Sequence, residues 1–199
     1  MKFVNIVFDL GGVVFARDIR KCTDEFVSFF SFVAKTGTPQ FWDEYDRGAL
    51  SFGEVKREIC RFRNCDMETC TRMLDEAIGK QEEIPSTKRL IGDLKQAGYR
   101  LYVLSNMSAE FIDFLRRLPV YSLFDGEVVS CEVNVIKPEP QIYEILLSKY
   151  ALDPSQTLFV DDRPANVEAA AALGIATCLF DNGNPEKSCG ELRAMLLSD

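Results

Sequence analysis

The sequence predicts an α/β fold: a parallel sheet covered by helices on both faces, with a helical segment inserted after the first strand. Three observations predict it. Short apolar runs recur at wide intervals, and most lead into a polar or acidic residue. Helical patterns separate them, and this alternation implies parallel strands with helical crossovers. One stretch, 19–80, breaks the alternation and contains only helical patterns.

The first strand is expected over FVNIVF (3–8), running into Asp9 and the Gly11-Gly12 pair. The second, RLYVLS (100–105), follows Ala97-Gly98, a helix-stop signal. GEVVS (126–130), TLFVD (157–161) and IATCLF (175–180) complete the set. Helices are expected over 86–97, 109–118, 139–150, 164–173 and 186–197. The insert reads as DEFVSFFSFVAK, PQFWDEYDRG, SFGEVKREICRF and METCTRMLDEAIG. Ser51 with Glu54 fits a capping box at the start of the third of these. At roughly 65 residues the insert is too long for a βα loop. It begins close to Asp9, where it is well placed to act as a lid. The expected division is a core of 1–16 with 85–199 and a helical cap of 17–84.

Composition narrows the chemistry. The chain has 199 residues, 47% of them apolar, which is ample for a core, and its net charge is −8. An acidic chain without a basic run is a poor match for nucleic acid or an anionic membrane surface, so neither is an expected partner. No histidine is present. That excludes Ser-His and Cys-His nucleophile pairs, histidine metal sites and imidazole acid–base chemistry. The seven cysteines include no CxxC pair, and Cys60, Cys65 and Cys70 match neither zinc nor iron–sulfur spacing. They are expected to be buried or idle thiols of a reducing cytosol. The N-terminal apolar run is broken by Asp9, and no stretch reaches the length of a membrane span. A cytoplasmic protein is the expectation.

Chemistry-bearing residues collect at the strand ends. Strand one ends at Asp9, strand two at Ser105-Asn106 and strand four at Asp161-Asp162, while Lys137-Pro138 follows strand three. In a parallel sheet these ends share one edge, where ligands bind. Carboxylates there can hold a magnesium ion through hard oxygens. Lysine and the hydroxyl can cover phosphate oxygens. Asp9, on a Gly-Gly turn, is free to attack phosphorus and form an aspartyl-phosphate.

FDLGGVV, VLSNMS, KPEPQIY and FVDDRPANVEAA, in this order, resemble the four motifs of the haloacid dehalogenase (HAD) superfamily. The resemblance spans nearly the whole chain, insert included. It implies a Rossmann-like three-layer core, magnesium, and a hydrolase acting on a small phosphorylated metabolite. By this resemblance Asp9 is the nucleophile, Ser105 and the Asn106 backbone amide bind phosphate, and Lys137 neutralises both phosphate and nucleophile. Asp162 and Asp161 hold the metal together with Asp9 and the backbone carbonyl of Gly11. Asn166 matches a position that often carries a supporting acid. The phosphatase pattern has aspartate where this chain has Gly11, so its proton donor is missing. A cap-bearing branch of sugar-phosphate phosphatases, glucose-1-phosphatase-like, has DLG in the first motif and often an acid nine residues after the nucleophile. That acid is Asp18 here.

Each residue also has a plainer reading. The Asp161-Asp162 pair could cap the helix near Pro164, and Asp18 could be a solvated flap acid. Trp42 and Tyr45 are expected to pack the core of the insert, with Phe26, Phe29, Phe30 and Phe32. Arg47, Arg17 and Arg163 are candidate substrate contacts. Two other functions stay open: a non-catalytic phospholigand-binding or regulatory protein, with Gly11 as the lesion, and a phospho-receiver domain, against which the long insert counts. The chain is expected to be a monomer or homodimer.

Overall fold

The computed structural model describes residues 3–33 and 38–197. In chain order its elements are β1 (Asn5–Phe8), β2 (Phe15–Ala16), α1 (Asp24–Phe29), α2 (Gln40–Asp46), α3 (Phe52–Arg63) and α4 (Met67–Gly79). Then come β3 (Glu82–Glu83), α5 (Pro85–Gln96), β4 (Arg100–Ser105), α6 (Ala109–Leu115), β5 (Gly126–Val129) and α7 (Ser130–Val133). α8 (Pro140–Lys149), β6 (Thr157–Asp161), α9 (Pro164–Ala172), β7 (Ala176–Leu179) and α10 (Pro185–Leu197) complete the described chain.

A five-stranded parallel sheet in the order β5-β4-β1-β6-β7 forms the centre. Its strands alternate sides. Ile6 and Phe8 of β1, Leu101 and Val103 of β4, and Leu158 and Val160 of β6 share one apolar cluster with Leu90 and Ile91 of α5, Ile112 of α6 and Leu192 of α10. Val7, Tyr102, Leu104 and Phe159 point the other way, onto Ile142, Tyr143 and Leu146 of α8 and Ala170 of α9. Both faces of the sheet are therefore covered, which is why its strands read as continuous apolar runs. Burying each such side chain contributes about 1.5–3 kcal/mol.

The helical segment packs a cluster of its own. Phe26, Phe29, Phe30, Phe32, Trp42, Tyr45, Val55, Ile59, Met73 and Leu74 meet there, joined by Phe111 from α6. Trp42 and Tyr45 are buried in it. The Ser51–Glu54 capping box is present at α3: the Ser51 N–H donates to Glu54 Oε2 at 2.8 Å and the Glu54 N–H to Ser51 Oγ at 3.4 Å.

Three elements differ from the sequence reading. The helix expected over 24–35 ends at Phe29; the last two residues of that range, Ala34 and Lys35, lie outside the described residues. A two-residue antiparallel ladder, Phe15-Ala16 on Glu82-Glu83, joins the two ends of the insert. Glu82-Glu83 carries no apolar alternation, so nothing local announces a strand there. The short α7 follows β5 directly and begins at Ser130, which was expected to end the strand.

Candidate active site

Strand register gathers the acids. Phe8 of β1 pairs with Val103 on one side and Val160 on the other. One step further, Asp9 is level with Leu104 and Asp161, and its N–H donates to Val160 O at 2.9 Å. β1 is the central strand, so these ends converge at the middle of the sheet edge.

Lys137 is the hub. Its Nζ donates to Asp9 Oδ1 at 2.7 Å, Asp161 Oδ2 at 2.6 Å and Leu104 O at 2.8 Å. Lys137 is 3% exposed, Asp9 8% and Asp161 0%, so this is a buried charge cluster and not a surface ion pair. Such a cluster depends on every partner, because one uncompensated charge left in the interior is costly. Burial opposes the Lys137 charge, yet Asp9 and Asp161 hold its ammonium above the ordinary lysine range. Burial pushes the Asp9 carboxyl up; Lys137 opposes the shift, and the Asp161 and Asp162 charges add to it.

The neighbours of Asp161 fix it in place. Asn166 Nδ2 donates to both its oxygens at 3.0 Å, and the Arg163 N–H donates to Oδ1 at 2.8 Å. Asp162 Oδ2 accepts from Asn182 Nδ2 at 2.8 Å. Gly12, with φ +80°, lets the first turn pass close by: a Cβ there would sit 2.7 Å from Asp162 Oδ2. Asn106 staples the lysine loop to the end of β4. Its Nδ2 donates to Lys137 O at 2.9 Å and its Oδ1 accepts from the Lys137 N–H at 2.7 Å. The Ser105 hydroxyl at the end of β4 is buried with no hydrogen-bond partner among the described residues. An orphaned hydroxyl costs about 1–3 kcal/mol, which a bound oxyanion would recover.

The cluster fits a hard cation. Asp9, Asp161 and Asp162 each offer a carboxylate oxygen within 4.8 Å of the others. An all-oxygen set with net negative charge suits magnesium.

A cleft of about 490 Å³ opens above the cluster. Asp9, Gly11, Asn106, Lys137 and Asp162 form its floor, and Phe15, Phe30, Trp42, Met107 and Phe111 give it an apolar wall. Arg17 and Arg163 also line it. The Arg17 guanidinium, however, donates from Nε to Ala77 O at 2.9 Å and lies over the rings of Phe26 and Phe111. It braces the helical segment.

Two expected site residues are elsewhere. Asp18 is not among the lining residues. It caps the turn Ile19–Lys21, and Arg20 grips both its oxygens, at 2.8 and 2.9 Å. Its hydrogen bond with Arg20 holds the carboxyl down at about 2, the wrong direction for a proton donor at neutral pH. Arg47 is also absent from the lining. It pairs with Glu139, at 2.5 and 2.9 Å, so it ties α2 to the core in place of reaching substrate.

One residue escaped the sequence reading. Asp46, the last residue of α2, lines the cleft. Burial, with Asp43 beside it and Asp9 across the cleft, pushes its carboxyl up to about 8; Arg163 and the Ser108 backbone N–H oppose the shift. The available signal was DEYD: acids three apart repel on a helix face, and an acid in the last turn opposes the helix dipole.

Comparison with known proteins agrees with this geometry. A D-ribitol-5-phosphate phosphatase of Bacteroides thetaiotaomicron is 28% identical over 196 residues, spanning 90% of this chain and 92% of that one. The sesquiterpene phosphatase astK of Aspergillus oryzae is 26% identical over 187 residues, 89% and 94% of the two chains. A solved structure of a variant of the HAD family enzyme bt-2542 from Bacteroides thetaiotaomicron, in complex with magnesium and inorganic phosphate, superposes with a TM-score of 0.72 at 25% identity. It covers 91% of this chain and 95% of that one. The family model for haloacid dehalogenase-like hydrolases matches residues 5–174. With four motifs in order, a parallel five-stranded sheet and a match over most of its length, this chain belongs to the haloacid dehalogenase-like hydrolases.

Proposed function

We propose that this chain is a magnesium-dependent phosphatase that hydrolyses small phosphomonoesters through an aspartyl-phosphate on Asp9. The observation that carries this reading is the buried cluster of Asp9, Asp161 and Lys137 at the floor of a cleft, with Asp162 beside it. Asp9, Asp161 and Asp162, with the Gly11 backbone carbonyl, would hold magnesium, which when bound screens phosphate charge from an attacking carboxylate. Lys137 orients Asp9 through Oδ1. The Ser105 hydroxyl and the Asn106 backbone N–H receive phosphate oxygens. The Asp9 carboxylate attacks phosphorus; the ester P–O bond breaks and its electron pair leaves with the ester oxygen. Water then attacks the phosphorus, returning Asp9 and releasing phosphate.

In this reading residues 17–84 are a cap over a core of 1–16 and 85–199, and the cap excludes bulk water. Its separate apolar cluster supports that division. Sugar phosphates are the leading substrates, in keeping with the first motif and with a relative named for D-ribitol-5-phosphate. The apolar wall favours a second reading, a phosphate ester with an apolar body, and astK is named a sesquiterpene phosphatase.

The test is magnesium-dependent phosphate release from nitrophenyl phosphate, a sugar-phosphate panel and a prenyl phosphate, with Asp9→Asn as control. Release should fall by about 10³-fold or more in the variant. Undiminished release would refute the assignment of Asp9. Binding of magnesium and phosphate without any release would favour the non-catalytic reading.

A further inference from the structure

We propose that Asp46, carried on α2, is the proton donor to the leaving oxygen, taking the role left vacant at Gly11. This rests on the phosphatase reading. Three features of the structure support it. First, Asp46 lines the cleft together with Asp9 and Lys137, whereas Asp18 does not. Second, the end of α2 is locked onto the core. The Ser130 hydroxyl donates to Asp46 O, Asn134 Nδ2 donates to Arg47 O at 3.1 Å, and Arg47 pairs with Glu139. Gly48, with φ +80°, allows the close approach to Cys131, whose carbonyl oxygen lies 2.5 Å from where a Cβ would stand. The backbone that carries Asp46 along the cleft is thus held against the core by four neighbouring attachments and not by a flexible loop. Third, the groups facing it favour the neutral acid. Burial is the largest influence, Asp43 on its own helix and Asp9 at the end of β1 add to it, and Arg163 and the Ser108 N–H oppose. Cys131 and Tyr45 lie within its field as well.

The proton balance closes. As the ester P–O bond breaks, its electron pair passes to the leaving oxygen, which takes the proton of Asp46. Asp46, now a carboxylate, removes a proton from the water that attacks phosphorus. The P–O bond to Asp9 breaks, its electron pair returns to Asp9, and Asp46 is again protonated.

The experiment compares Asp46→Asn with wild type on two esters. Nitrophenolate leaves without a proton and a sugar alkoxide does not. Because Asp46 also activates water against the same phospho-Asp9 for either ester, the comparison is of the first step, read as pre-steady-state release of the alcohol: the variant should lose about 10²-fold or more on the sugar phosphate, and at least tenfold less on nitrophenyl phosphate. Across a series of phosphate esters, the rate of that first step should depend more steeply on leaving-group pKa in the variant. The wild-type rate on the sugar ester should fall on the alkaline side, and this limb should vanish in the variant. A Cβ on Gly11 meets nothing within 4 Å, so Gly11→Asp in the Asp46→Asn background should restore part of the sugar-phosphate rate. Equal losses in that first step on both esters, or no loss in it on the sugar phosphate, would overturn the proposal. Failure of the underlying reading looks different: Asp9→Asn would then leave nitrophenyl phosphate hydrolysis intact.

Discussion

The two walls of the cleft are built in different ways. The floor is set by the backbone. Asp9 and Asp161 stand level because β1 and β6 pair in register, and Lys137 joins them from a loop stapled by Asn106. The roof is set by side chains. α2 reaches the core through Tyr45 on Glu110 at 2.6 Å and Arg47 on Glu139, contacts between residues far apart in the chain. The floor is buried, interlocked and unable to give way at one point. The roof has an apolar cluster of its own, which shares Phe111 with the core, and its ion pair to the core, Arg47 with Glu139, is partly exposed. In the proposed mechanism, attack on phosphorus belongs to the floor and proton transfer to the docked end of α2.

The sharpest way to break this contrast is Lys137→Met. It leaves Asp9 and Asp161 facing each other without a cation. Activity should be abolished, and urea unfolding should show a loss of about 3–5 kcal/mol. Saturating magnesium should recover more stability in this variant than it adds to wild type, since the ion compensates the same acids. Equal magnesium effects would mean that the acids do not share a cation.

A smaller effect is expected for Gly12→Ala. Its Cβ displaces Asp162 Oδ2, and magnesium affinity, measured by calorimetry, should weaken about 10–100-fold, as for groups that orient a metal ligand. Asn182→Ala removes the partner that holds the same oxygen and should act in the same direction. The smallest effect belongs to the roof. Arg47→Ala removes a partly exposed pair, and chemical unfolding should change by less than about 1 kcal/mol. Activity on the sugar phosphate should fall severalfold, because one of the attachments that hold the end of α2 is lost. If Arg47→Ala destabilised the chain as much as Lys137→Met, the floor and roof would not differ as described.

The same contrast explains what could be read from the sequence. Parallel strands buried on both faces appear as apolar runs, and their chemistry sits at the ends, so Asp9, Ser105 and Asp161 could be located from pattern alone. Placements that depend on a side-chain partner could not. Asp18 is held by Arg20 and Arg47 by Glu139, and neither pairing leaves a mark in the apolar pattern. The β2–β3 ladder was invisible because two residues are too few to show alternation. Asp46 left only a trace, an acid placed against helix electrostatics, and its position over the floor comes from tertiary docking.

The most direct measurement is the mass of the intact chain after acid quench during turnover of nitrophenyl phosphate with magnesium, followed by peptide mapping. The account predicts one added phosphate on the peptide containing Asp9, and none in Asp9→Asn. Rapid turnover with no adduct after a fast quench, or an adduct on any other residue, would contradict it.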